Sequence, residues 1–293
     1  MNTRLARRSL LALTLVTGAH LTLAAPGCTG TAGTTTGKRI TLGTGISAAE
    51  SPTAPFTNGK GWTITLDRAL VSVGSLAYFD GEPFTAALEP TRRRRPASPE
   101  LEPNDRSPLR ELFGPRLAHA HPGHYVPGNA LGQVTRGDTV DLLALETTLA
   151  STEEAVTGTY RSATFGFGEP PAGALAAGLE GGVALVSGTA TSGDTTLLFR
   201  ARALASEVLD TETPATPSVH GCIFDEALVE KGGHVEVRVS LHVWLDQVDF
   251  ADATPPASPG ERVTLDGAAH EAFTRGLVKG SAYLFRYVPP LIE

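Results

Sequence analysis

The chain has 293 residues, 41% hydrophobic and 19% charged, a balance that fits one large or two small globular domains and excludes a disordered or collagen-like polymer. Gly 32 and Pro 21 exceed their average shares and are spread along the chain, which favours many turns over an all-helical bundle. The formal charge is −7, and residues 1–27 carry Arg4, Arg7 and Arg8 with no acid, so the remainder is more acidic still, which argues against a nucleic-acid binder.

Arg4, Arg7 and Arg8 precede an apolar stretch from Leu10 to Ala25, the charged and hydrophobic regions of a secretory signal. Nothing later is long and apolar enough to span a bilayer as a helix. Cleavage after Ala25 would leave Pro26 as the first residue. The run Ala25-Pro26-Gly27-Cys28 instead resembles a bacterial lipobox, which implies cleavage before Cys28, lipid modification of its thiol and anchoring to a membrane. Thr29 stands where inner-membrane lipoproteins often carry aspartate, so the resemblance implies the outer membrane, facing the periplasm or the surface. The alternative is a soluble secreted protein in which Cys28 is an ordinary thiol. The chain then divides into a signal at 1–27, the lipidated cysteine and a Thr-, Gly- and Ser-rich tether over 28–60, and a folded domain over 61–293.

Trp62–Leu66 and Ala69–Phe79 alternate as successive strands before the turn signal Asp80-Gly81. Pro90–Pro108, with Arg92, Arg93, Arg94 and Arg95, reads as an exposed Arg- and Pro-rich loop. Further strands are expected near Val140–Leu145, Gly158–Phe167, Val183–Ala190, Thr195–Ala203 and Val219–Phe224. At His234–Val243, Val235, Val237, Val239, Leu241 and Val243 should share one face. A helix is expected over Asp266–Val278, where Ala269, Phe273 and Leu277 recur every four residues, and a last strand over Ala282–Val288. The fold class is all-β, an antiparallel β-sandwich or open barrel with one or two short helices.

The densest chemical cluster is His119-Ala-His121-Pro-Gly-His124, which holds three of the chain's eight histidines. In an extended segment His119 and His121 share a side, and a Pro122-Gly123 turn would bring back His124, so one loop offers up to three imidazoles to copper or zinc. His220-Gly221-Cys222 is the second group, and on a regular strand its imidazole and thiol share a face. Cys222 has three readings: a buried thiol, a partner for Cys28, or a metal ligand. Asp246, Asp249 and Asp252 recur every three residues but lack the glycine and terminal glutamate of a calcium loop. No Gly-x-Ser-x-Gly elbow or phosphate-binding glycine loop appears, and no nucleophile, base and orienter can be assembled.

Three places, Leu70–Gly81, Val140 through Val156-Thr-Gly-Thr-Tyr160 to Phe165-Gly-Phe167-Gly, and Val235–Phe250 followed by His270-Glu-Ala-Phe273, resemble the MbnP-like periplasmic copper-handling lipoproteins. The resemblance implies a β-rich domain with metal-binding or redox-linked chemistry. That family's multiple-cysteine pattern and tryptophan-rich segment are absent, so no ligand set is carried over. The expectation is an envelope lipoprotein binding copper or zinc as carrier or store through His119, His121 and His124, with His220 and Cys222. The alternative is a structural or protein-interaction lipoprotein with an envelope partner and no metal.

Overall fold

The computed structural model describes residues 37–51, 54–83, 125–149, 154–209, 216–256, 258 and 260–290. The chain enters through β1 (Arg39–Ile40), β2 (Leu42–Ala48), β3 (Phe56–Thr57) and the 17-residue β4 (Thr63–Phe79). It continues after residue 125 through β5 (Ala130–Val134), β6 (Thr139–Asp141), β7 (Thr147–Leu149), β8 (Glu154–Val156) and β9 (Gly158–Phe167). Then follow β10 (Ala184–Ser192), β11 (Thr195–Ala203), β12 (Ser218–Val229), β13 (Gly233–Val239) and helix α1 (Leu241–Leu245). β14 (Val263–Thr264), helix α2 (Gly267–Leu277) and β15 (Tyr283–Val288) complete the described chain.

The shape follows from β4. Ile64 and Leu66 are buried, then Ala69, Val71 and Val73, then Leu76 and Tyr78, so the inward parity changes twice. Each change is a bulge. Asp67 is the extra residue against Ser187 and Gly188 of β10, and a second irregularity lies between Val73 and Leu76 against β9. A bulge bends its strand and increases the local twist. The first half of β4 therefore pairs with β3, β6 and β10, and the second half with β5 and β9. Burial opposes ionisation of Asp67, but hydrogen bonds from Ser187 Oγ (2.6 Å) and Arg262 Nη2 (2.7 Å) outweigh it and hold the carboxyl below its ordinary value.

The result is mostly β: one large curled sheet, open like a half-barrel, with two α-helices among the described residues. Its main path runs β1-β8-β5-β4-β9-β12-β15-β13-β2-β7, and β10, β11 and β14 continue from the first half of β4. The sheet is mixed where an antiparallel one was expected: β2 with β13, β12 with β15 and β11 with β14 run parallel. Curling brings β2 opposite β4, so that the fully buried hydroxyls of Thr44 and Tyr78 lie 3.1 Å apart across the interior. Tyr160, Phe224 and Phe285 surround Tyr78, and Phe165 stacks on Tyr283 at 4.2 Å. Each such buried ring contributes about 1.5–3 kcal/mol.

Three stretches depart from the expected pattern. Residues 39–48, placed in the tether, are strands β1 and β2: Leu42, Thr44 and Ile46 point inward, while Gly43 and Gly45 lie under the His234 and Glu146 side chains. A Cβ at Gly45 would collide with both, so the low-complexity composition reflects close packing in a sheet. Residues 63–79 form one bent strand where two were expected. β13 stops at Val239, because Ser240 caps α1 by accepting from Val243 N and the alternating Leu241–Leu245 coils into a helical turn. The helix expected over Asp266–Val278 is α2, with Ala269, Phe273 and Leu277 buried and Phe273 set edge-on to Trp244 of α1.

Tyr78→Phe leaves the Thr44 hydroxyl buried without a partner and is expected to lower stability by about 1–2 kcal/mol. Tyr287→Phe, which removes longer bonds to the Lys231 and Gly232 carbonyls, should cost less than about 0.5 kcal/mol. Urea unfolding of the two variants beside the parent checks the contrast.

Candidate functional site around His220

Of the residues singled out in the sequence, Cys28, His119, His121, His124 and the arginine loop lie outside the described residues. His220 and Cys222 lie on β12, and they do not share a face. Val219 pairs with Phe165 and Cys222 with Ala163, so two residues of β12 oppose one of β9. Gly221 takes φ +66°, the left-handed region that glycine occupies freely. The bulge restores Cys222 to the core, where it is 0% exposed, and leaves His220 exposed on the outer surface. A glycine inside an apolar strand pattern is itself a bulge signal, and it marks where simple alternation fails.

On the outer side His220 belongs to a cluster of hydroxyls. Its Nδ1 lies 3.0 Å from Thr164 Oγ1 and its Nε2 3.2 Å from Ser218 Oγ. Ser162 and Thr164 stand two apart on β9, and Ser218 and His220 two apart on β12, so each pair falls on one face. Tyr125 covers them: its hydroxyl meets Ser162 Oγ at 2.6 Å, and its ring centroid lies 6.4 Å from that of His220. Burial raises the Tyr125 pKa, against the opposing effect of the Ser162 bond, so the phenol is a neutral hydrogen-bonding group at physiological pH. The sequence drew no attention to Tyr125, Ser162, Thr164 or Ser218. The hydroxyls of Ser162 and Thr164 did carry a signal, as small polar residues alternating with Ala163 and Phe165.

The Cys222 thiol is chemically withdrawn. Burial pushes its pKa up to about 12, and its Sγ donates 3.3 Å to the Val219 carbonyl. Of the three readings open for this cysteine, the buried thiol is the one its surroundings favour.

The remaining described histidines occupy separate places. His234 Nε2 meets Glu146 at 2.7 Å across the glycines of β2, and His270 Nε2 meets Glu207 at 2.9 Å. His242 lies 3.2 Å from the Thr57 carbonyl and edge-on to Phe56. No group of three or more His, Cys, Asp or Glu side chains is arranged to hold a metal among the described residues. Asp246 and Asp249 serve the fold: Asp246 accepts from Gly59 N, and Asp249 from Trp62 Nε1 and Ala251 N. Beyond the hydroxyl cluster, Ile223 pairs with Ser162 on one side and with Leu284 on the other, and both apolar side chains are 40% exposed. The chain matches no protein-family model, no curated protein and no solved structure.

Thiol labelling of the native chain at pH 8 should leave Cys222 at least about a hundredfold slower to react than in denaturant. Burial opposes ionisation of Glu207, but bonds from Leu204 N (2.7 Å) and His270 outweigh it and lower its pKa. A lowered carboxyl pKa stabilises the fold above the unfolded value and ceases to do so as pH falls through the folded one. Glu207→Gln should therefore cost about 0.5–1 kcal/mol at pH 7, and the difference should shrink as acidification protonates the carboxyl, as read from denaturant melts at neutral and acidic pH.

Proposed function

We propose that this protein is an envelope lipoprotein, anchored to the outer membrane through Cys28, that binds copper or zinc as a carrier or store. The ligands in this reading are His119, His121 and His124, with His220 as a fourth imidazole. The observation that carries it is the position of Tyr125. This residue directly follows His124 in the sequence. Tyr125 itself is held against Ser162 and His220. The residue next in sequence to the histidine-rich segment thus lies against the one histidine of β12.

The donor set fits imidazole chemistry. In this reading His220 binds through Nε2, releasing the longer contact to Ser218, while Thr164 fixes the ring through Nδ1. Four imidazoles suit zinc and copper alike. Cys222 is left out, because its thiol faces the core and would have to lose its proton there. The metal supplies no reaction in this reading; it is cargo.

A second reading, an envelope interaction module without metal, is favoured by the exposed Ile223 and Leu284 beside the cluster. Calorimetric titration of the exported chain, purified without a histidine tag, separates the two. The metal reading predicts stoichiometric copper or zinc binding that is lost in the His119→Ala, His121→Ala, His124→Ala triple variant. It also predicts binding at least about tenfold weaker in His220→Ala and unchanged in Cys222→Ala. Undiminished affinity in the triple variant would overturn it, and crosslinking of envelope partners to position 223 would then support the second reading.

A further inference from the structure

A cavity of about 220 Å³ lies where the β10–β11 hairpin meets the turn after α1, and it shares no residue with the His220 cluster. Its floor is aromatic. Trp62 and Phe250 meet edge to face at 5.5 Å, and Phe250 rests on Phe199 at 4.7 Å. The indole cannot swing away, because its Nε1 donates to Asp249 Oδ1 at 3.0 Å and the Asn58 side chain ties the preceding turn to the Leu245 and Val248 carbonyls. Leu197 of β11, Val263 of β14, Ala251, Ala253 and Pro255 complete the cavity's apolar lining. Trp62, Phe250 and Val263 are packed firmly in place, each no more than 5% exposed.

None of the described residues that line the cavity is charged. Its polar side chains are the hydroxyls of Ser192 and Thr195, which face each other as a cross-strand pair at the hairpin end. A charged guest would have to shed its hydration with no counter-charge among the described lining residues to meet it. A neutral ring loses little on entry and gains contact with the aromatic floor. Size narrows the guest further, because a dry apolar cavity of about 150 Å³ already accepts benzene. The space here holds one substituted ring, with its substituent toward the two hydroxyls.

We propose that this cavity is a binding site for a small uncharged aromatic molecule, a single ring bearing one hydroxyl group. The ring lies on Trp62 and Phe250, and its hydroxyl bonds Thr195 or Ser192 at the mouth. This site is independent of metal binding and remains whether or not the histidine loop takes copper or zinc.

The test is titration of the full chain with p-cresol, toluene and benzoate, followed by calorimetry and by methyl NMR shifts of Leu197 and Val263. Saturable one-to-one binding of p-cresol that shifts both methyl groups, with benzoate at least tenfold weaker, is expected. Ala251→Phe places a ring in the mouth from an exposed position and should weaken p-cresol at least tenfold without moving the melting temperature. Thr195→Val should weaken p-cresol several-fold while leaving toluene unchanged. Failure of p-cresol to saturate, equal binding of benzoate, or undiminished binding in a folded Ala251→Phe variant would each overturn the proposal.

Discussion

A strand that serves two halves of one curled sheet must keep its apolar residues inward while its direction changes, and β4 meets that constraint with two bulges. At Asp67 and again between Val73 and Leu76 an added residue bends the chain and resets which side chains face the core. Without these resets, either Ile64 and Leu66 or Ala69, Val71 and Val73 would turn outward, and the sheet could not curl far enough for Thr44 to meet Tyr78. The bulge at Asp67 is stabilised locally by Ser187 and Arg262, so the bend comes with its own polar closure. The aromatic interior around Tyr78, Tyr160, Phe224 and Phe285 fills the concave side this curvature creates.

The same device recurs at the candidate site with chemical consequences. Gly221 separates two residues that an unbroken strand would have set side by side, sending the imidazole of His220 outward and the thiol of Cys222 inward. A single backbone torsion thus decides which donors can meet a ligand at the surface. It leaves His220 among hydroxyls that orient its ring, and Cys222 in surroundings where ionisation is costly.

Much of the architecture is legible in the sequence because period-two and period-four patterns report burial directly. α2 and β15 fall where Ala269, Phe273 and Leu277, and then Tyr283 and Phe285, recur, and β9 follows the alternation of Gly158–Phe167. What escapes is whatever breaks the period or hides it. β2 reads as a tether because two of its positions are glycines, which lie under the His234 and Glu146 side chains contributed from far along the chain. The Leu241–Leu245 segment keeps strand-like alternation, yet the Ser240 cap turns it into a helix. Parallel pairing of β2 with β13 joins segments nearly two hundred residues apart and leaves no local trace. For the site, the histidines are visible as residue types, but the company of His220, Tyr125 above all, depends on a return of the chain that no spacing announces.

The proposed metal site is one of imidazoles on the outer face, with the thiol of Cys222 turned into the core by the Gly221 bulge. The absorption spectrum of the chain loaded with cobalt(II) tests it most directly, because cobalt reports both its geometry and the presence of sulfur. The expected spectrum has the visible ligand-field bands of a nitrogen-ligated ion and no thiolate-to-cobalt charge-transfer band. A thiolate charge-transfer band, or a spectrum no different from that of free cobalt, would contradict it.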